Sequence, residues 1–414
     1  MIRRLSDALR PGMRVFVPGM SGEPALLLGE LAADPGRAEG VDFVGVQFPG
    51  IGRADYLAAH PAARQTAFFM TPSVRTGLRE GRASLLALDY GGIARHLARG
   101  PGFDLAVAQL SPPDDEGWCS AGIANDFLPI AWPRAARRVA QINPAMPRVA
   151  HGFRVHLSEL AGVIEHETPL AEFREAGAAD DAALRIGAHV AELVQDGDTL
   201  QFGIGAVPLA LARALAAHRR LRLHTGMVSP AARTLSEAGA LDPDAAILTG
   251  IALGDASHYA WASQEPRLHF TDVRHTHDVH AIAATPRFMA INTAVEVDLL
   301  GQVNAERSDG TLQAGAGGLP AFAQGALQSE GGRLIICMPA TARGGAVSRI
   351  VPVLGARSAC TLPRHLADRV VTEHGVAPLR DLSLDARAEA LIAIAAPGHR
   401  DTLAREWQSL RAQL

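Results

Sequence analysis

Thr199-Leu200-Gln201-Phe202-Gly203-Ile204-Gly205-Ala206-Val207-Pro208 is the stretch from which the fold is read. Its first four residues have strand character, and the two glycines of the turn let backbone N–H groups come close to a ligand. Pro208 is tolerated in the first turn of a helix, whose apolar side would be Leu209, Leu211, Ala212 and Leu215. His218-Arg219-Arg220 put positive charge at the helix end, where the helix dipole favours it. Leu221-Arg222-Leu223-His224-Thr225 then reads as the next strand, ending at Gly226-Met227. A strand, glycine turn and helix in succession leave N–H groups unpaired, so a phosphate, carboxylate or oxyanion is the natural guest. The same pattern also serves turns that only pack tightly.

The chain has 414 residues, more than one core usually supports, so two domains of about 200 residues each are expected. Hydrophobic residues make up 48% and charged residues 20%, which excludes a largely disordered chain. The 39 basic and 43 acidic residues are spread evenly, and no clustered positive surface suggests nucleic acid as a partner. Every basic residue is arginine; without lysine there is no Schiff base with a carbonyl or pyridoxal group and no P-loop lysine. Cys119, Cys337 and Cys360 stand far apart, which fits a reducing compartment. The N-terminus lacks a signal-peptide core and no run of 18 apolar residues occurs, so a cytoplasmic location away from membranes is expected.

Outside the opening stretch, short apolar strands alternate with helical segments. Met13-Arg14-Val15-Phe16-Val17 leads into Ser21-Gly22-Glu23-Pro24, with Ser21 as the expected N-cap of a helix to Leu31. Further strands are expected over 41–46, 66–69, 83–88 and 103–110, and in the second half over 246–248, 288–292, 333–338, 349–354 and 369–377. This alternation points to parallel α/β layering. A Glu/Ala/Asp/Gly-rich segment from Pro169 to about Ala183 marks the boundary, giving domains 1–180 and 181–414 with a ligand cleft between two open α/β halves. The last strand ends in Glu373-His374, where a catalytic acid or base would be well placed. His275, His277 and His280 have a metal-like spacing but lack a supporting Cys or carboxylate pattern, so no metal is expected. No Gly-x-Ser-x-Gly elbow occurs.

Several ordered motifs together resemble the acetyl-CoA hydrolase/transferase family, of class I CoA-transferase type and similar to 4-hydroxybutyrate CoA-transferase. They are Gly22-Glu23-Pro24, Ser111-Pro112-Pro113-Asp114 with Gly117, and Gln141-Ile142-Asn143-Pro144. In the second half they are Gly203-Ile204-Gly205-Ala206-Val207-Pro208, His224-Thr225, Ile291-Asn292-Thr293-Ala294, Gly301-Gln302-Val303-Asn304, Ser348-Arg349-Ile350-Val351-Pro352 and Thr372-Glu373-His374-Gly375. The resemblance covers nearly the whole chain. It implies a two-domain CoA-transferase fold, coenzyme A as a thioester substrate with no permanently bound cofactor, a small carboxylate or water as second reactant, and a homo-oligomer. It places CoA against Gly203, Ile204, Gly205, Ala206 and Val207 and against a second turn containing Gly315, Gly317 and Gly318.

In that family a glutamate following His-Thr attacks the thioester and passes through a glutamyl-CoA intermediate. The present sequence reads His224-Thr225-Gly226-Met227, and glycine has nothing to acylate. The second turn, Gly315-Ala316-Gly317-Gly318-Leu319-Pro320-Ala321-Phe322, departs too: it loses an amide and a carboxylate while keeping the backbone turn. The expected activity is therefore hydrolysis or transfer of acyl-CoA without a glutamyl intermediate at the usual position. Glu373 or His224 would be general base, and Asn292 would complete the site. Two alternatives stand beside it. One is a CoA-transferase drawing its carboxylate from Asp114-Asp115-Glu116 or from Glu296; the other is an acyl-CoA-binding protein that has kept the fold without the chemistry.

Overall fold

The computed structural model describes residues 2–52, 54–174 and 180–413. Two compact units divide the chain. The first takes the residues through Arg174 together with Gly226–Val228 and Ala246–Thr276; the second takes the stretch ending at Thr225, then Ser229–Ala245 and His277–Leu414. Two later segments of the chain thus cluster with the first unit. Residues 175–179, inside the expected boundary segment, lie outside the described residues.

In the first unit seven strands form one wholly parallel sheet. They are β1 (Arg14–Phe16), β2 (Asp42–Val44), β3 (Arg64–Ala67), β4 (Ala83–Leu85), β5 (Phe103–Leu110), β6 (Ala135–Ile142) and β7 (Gly162–Glu165), in spatial order β4-β3-β2-β1-β5-β6-β7. β5 is buried at seven of its eight positions, as a strand covered on both faces must be. Val15, Val17, Phe43, Leu105, Val107 and Val139 meet Leu27 and Leu31 of helix α1 (Ala25–Ala33) in the core. The expected cap on α1 is not formed. Its N-cap residue is Pro24, without a side-chain hydrogen bond, and Ser21 Oγ instead donates to the carbonyl of Ala252 at 2.9 Å. That bond shows why the later segments belong here. The Ala252 N–H donates to Ile123 O at 2.9 Å, and Ile251–Ala252 pairs in parallel with Met227–Val228. Helix α2 (Tyr90–Arg99), capped by Asp89 on the Gly92 N–H, covers the same unit.

The second unit is built on a six-stranded sheet. Its strands are β8 (Thr199–Phe202), β9 (Arg222–Leu223), β10 (Phe288–Thr293), β11 (Arg333–Cys337), β12 (Arg369–Thr372) and β13 (Gly375–Pro378), in spatial order β9-β8-β10-β11-β12-β13. All pairs are parallel except the last. The expected strand 369–377 is a hairpin: Glu373 and His374 form its two-residue turn, closed by Gly375 at φ +138°. Helices α3 (Asp181–Ala191) and α4 (Ala206–Ala214) flank the opening stretch, and α5 (Leu319–Gln328) packs Phe322, Ala323 and Ala326 into a core with Phe288, Leu334, Ile336 and Val370. The α/β class expected from the alternating pattern is the observed one, for parallel strands buried on both faces need helices above and below.

Candidate active site

In an open parallel sheet, ligands bind beyond the carboxyl ends of the strands where the chain reverses its direction of travel across the sheet. In the second unit this switch point falls between β8 and β10, since β8 leads outward to β9 while β10 starts the other side. The 203–207 turn leaves β8 here, and Asn292 lies near the end of β10. Gly205 adopts φ +118°, ψ 179° as N-cap of α4, a conformation closed to residues with a side chain. A Cβ built at Gly203 or Gly205 would meet nothing within 4 Å, so there is open space on the Cβ side of both residues. The 315–318 turn likewise leads into the first turn of α5, and neither helix is capped by the side chain of its N-cap residue.

Asn292 Nδ2 donates to Gln201 Oε1 at 2.8 Å, and Gln201 Nε2 returns a longer bond of 3.4 Å. The two amides thus bridge the strands that define the switch point. His224 and Thr225 run alongside: the His224 N–H donates to Leu200 O at 3.1 Å and Thr225 Oγ1 to Phe202 O at 3.1 Å. The His224 ring meets Phe288 edge to face, Phe288 stacks on Phe322, and Phe322 carries His277 at a centroid distance of 4.5 Å. His277 also fixes the second turn. A Cβ on Gly318 would lie 2.3 Å from His277 Nε2, so only glycine allows this approach. Burial, reinforced by His224, pushes the His277 imidazole down to about 3, so it is neutral at physiological pH.

Glu373 is at the carboxyl end of the same sheet, with its Oε2 accepting the Ala340 N–H at 2.8 Å and its Oε1 3.7 Å from His374 Nε2. Two of the other carboxylates weighed from sequence, Asp114 and Glu296, are occupied structurally. Asp114 Oδ1 accepts the Trp118 N–H at 2.8 Å, and its Oδ2 pairs with Arg148 and Arg154. Glu296 accepts from Asn304 Nδ2 at 2.9 Å and from Ser358 Oγ. His275 lies 3.6 Å from Asp272, whereas His277 faces Phe322 and Gly318, so the metal-like spacing is not one cluster.

Gly226 is a half-buried bend in the first unit. It does not adopt a left-handed backbone conformation. Its carbonyl accepts the Gly250 N–H at 3.1 Å, and the Gly250 carbonyl accepts the N–H groups of Asn125 at 2.9 Å and Asp126 at 3.1 Å. Asp126 is 8% exposed, with Oδ1 accepting the Phe127 N–H at 2.8 Å. Burial pushes its carboxyl up to about 7, against the lowering effect of that bond. The sequence reading passed over Asp126. Its signal was an acid embedded in the apolar run 121–132, but its neighbour at Gly250 is far away along the chain. The sheet of this unit has its own switch point between β1 and β5. There, buried amides line up: Asn143 Nδ2 donates to Gln109 Oε1 at 2.6 Å, and Gln109 Nε2 to the Glu23 carbonyl at 3.3 Å. Met20 in the same loop has φ +56°, a strained value for a residue with a side chain.

Comparison with known proteins gives the family and the fold. Residues 4–173 match the acetyl-CoA hydrolase/transferase N-terminal domain and residues 254–407 the C-terminal domain. The chain is 32% identical over 404 residues to 4-hydroxybutyrate coenzyme A transferase of Clostridium kluyveri, covering 95% of this chain and 94% of that protein. The crystal structure of RipA from Yersinia pestis superposes with a TM-score of 0.90 at 27% identity, covering 98% of this chain and 96% of that one. A 4-hydroxybutyrate CoA-transferase from Porphyromonas gingivalis gives a TM-score of 0.80 at 29% identity, over 99% and 95% of the two chains.

Proposed function

The chain belongs to the acetyl-CoA hydrolase/transferase family and is an acyl-CoA hydrolase or CoA-transferase, and from that premise we propose that it cleaves acyl-CoA thioesters without a glutamyl-CoA intermediate at Gly226. The observation that carries the reading is the residue itself: Gly226 follows His224-Thr225, where the family resemblance calls for a glutamate, and offers no side chain to acylate. Water, or the second carboxylate, attacks the thioester carbonyl directly; hydrolysis is the simplest outcome.

Roles for the remaining groups follow from their bonds. The 203–207 and 315–318 turns present helix N-terminal N–H groups to the anionic parts of CoA or to the oxyanion. Asn292 supplies an amide at the switch point, held by Gln201. His224 adds an imidazole at the strand end, and we place Glu373 in a positioning role, because its carboxylate fixes the Ala340 backbone.

The test is thiol release from a panel of acyl-CoA thioesters, with and without added acetate, followed by borohydride trapping. Release independent of acetate, with no CoA adduct on the protein, is the expected result. A CoA adduct located on any carboxylate by mass would replace this reading with transfer through that residue. The Gly226→Glu variant should gain such an adduct, since the backbone at 226 is outside the left-handed region that disfavours side chains.

A further inference from the structure

We propose that Asp126 is the general base for the reaction at Gly226, activating the water that takes the place of the missing nucleophile. The proposal rests on the reading of Gly226 above and goes beyond it by naming a group outside the motifs that carry the family resemblance.

The geometry begins with Gly250. Its carbonyl holds the N–H groups of Asn125 and Asp126, and its N–H holds the carbonyl of Gly226, so one residue ties both segments together. A Cβ built on Gly250 would lie 3.1 Å from Gly226 O and 3.3 Å from Asp126 Cβ. The Asp126 side chain therefore starts from the same small volume that Gly226 borders. Three bonds, two of them additional to the one at Gly250, fix it in place. The Asp126 carbonyl accepts the Val273 N–H at 2.9 Å, its own N–H is held by Gly250, and Oδ1 is anchored on Phe127. Rigid backbone support of this kind is what a reacting group requires, because small misplacements of a reacting group are costly.

A helix-capping or turn role accounts for the Phe127 bond alone. Asn or Ser would make that bond without the cost of burying an ionisable acid. Burial instead brings the carboxyl to about 7, where a general base works best near neutral pH. The titratable group facing it is Tyr90 of α2, whose phenol is held protonated by burial first and by Asp126 second. On the segment packed against it from 272 to 275, Asp272 is paired with Arg274 and lies near His275, and Asp89 is engaged in capping α2.

In the step, the Asp126 carboxylate takes one proton from water as the water oxygen bonds to the acyl carbon. The tetrahedral adduct then collapses, the carbon–sulfur bond breaks with its electron pair on sulfur, and Asp126 returns the proton to the CoA thiolate. Acyl-CoA and water become the carboxylic acid and free CoA, with no other reactant.

The experiment compares wild type with Asp126→Asn and Asp126→Glu by thiol release, each variant being checked by thermal melting. Expected are a loss of at least about 100-fold in kcat for Asp126→Asn with KM little changed, partial recovery in Asp126→Glu, and a wild-type kcat/KM that rises through about pH 7. Single turnover in ¹⁸O-water should label the product acid and leave the protein unlabelled. If wild type hydrolyses thioesters and Asp126→Asn keeps activity within about threefold, the proposal is overturned while the proposed function stands. Label appearing in Asp126 would make it a nucleophile and overturn its role as base. Should Asp126→Asn not fold, a wild-type profile flat from pH 6 to 8 overturns the proposal by itself. No hydrolysis by wild type across the panel overturns the function and this proposal together.

Discussion

Asn292 and Gln201 hold one another across the junction of β8 and β10, through one bond of 2.8 Å and one of 3.4 Å. Gln201 is 4% exposed, so removing its partner leaves a buried amide unsatisfied. Asn292→Ala should lower the free energy of unfolding by about 1–3 kcal/mol, read by urea denaturation, and should also reduce kcat/KM for acyl-CoA. Unchanged kinetics in a destabilised variant would restrict Asn292 to a structural role.

The two glycines of the first turn should behave differently. Gly205→Ala forces a side chain into φ +118°, which should cost about 1–2 kcal/mol and weaken CoA binding as well. Gly203 has no positive φ and open space around it, so Gly203→Ala should keep stability within about 0.5 kcal/mol while still weakening CoA, because the added methyl occupies ligand space. Calorimetric titration with CoA beside thermal melts checks the pair; equal effects of both variants on both measurements would refute the distinction.

Glu373 separates positioning from catalysis. In Glu373→Gln the amide oxygen can still accept the Ala340 N–H, so kcat should stay within about threefold. Glu373→Ala leaves that N–H without its acceptor and should cost about 1–3 kcal/mol of stability. A large loss of kcat in the folded Gln variant would return Glu373 to the role of base.

Stability against pH should show two opposing contributions. His277 has a folded value near 3 against an ordinary 6.5, so between these the unfolded chain binds more protons and stability falls as the pH drops. Asp126 has a folded value near 7 against an ordinary 3.8, so the folded chain holds the extra proton and stability falls as the pH rises through that window. In wild type the two slopes partly cancel between about pH 4 and 6.5. Asp126→Asn should expose the His277 slope, making stability rise with pH there; denaturant titrations at several pH values would show it, and an unaltered slope would contradict the buried state of Asp126.

Local chemistry was readable and long-range pairing was not. Strand 103–110 was legible to the residue because a short segment with six apolar residues of eight reads as a buried strand. The 203–207 turn was legible because glycines between a strand and a helix have a backbone meaning. The hairpin at 369–378 read as one strand, since Glu373-His374 is not a turn pair with a strong signal and only Gly375 betrays the reversal. Ser21 looked like a cap because its type and place suited one, yet its hydroxyl goes to Ala252, more than two hundred residues on. Asp126 was missed for the same reason: what makes it notable is a backbone contact with Gly250, which no window of sequence contains.

The return of residues 226–228 and 246–276 to the first unit sets an order on how the chain can be made. Emerging from a ribosome, residues 1–174 hold the seven parallel strands, but the carbonyls that receive Ser21 Oγ and the N–H groups of Asn125 and Asp126 belong to residues not yet synthesised. The first unit therefore cannot be completed until about residue 276 has appeared, by which time the β8 turn and Gly226 are already out. A gene cut between the halves would put Asp126 and the Gly250 backbone that holds it on separate polypeptides, and the bond between them would then have to form as an association of two chains.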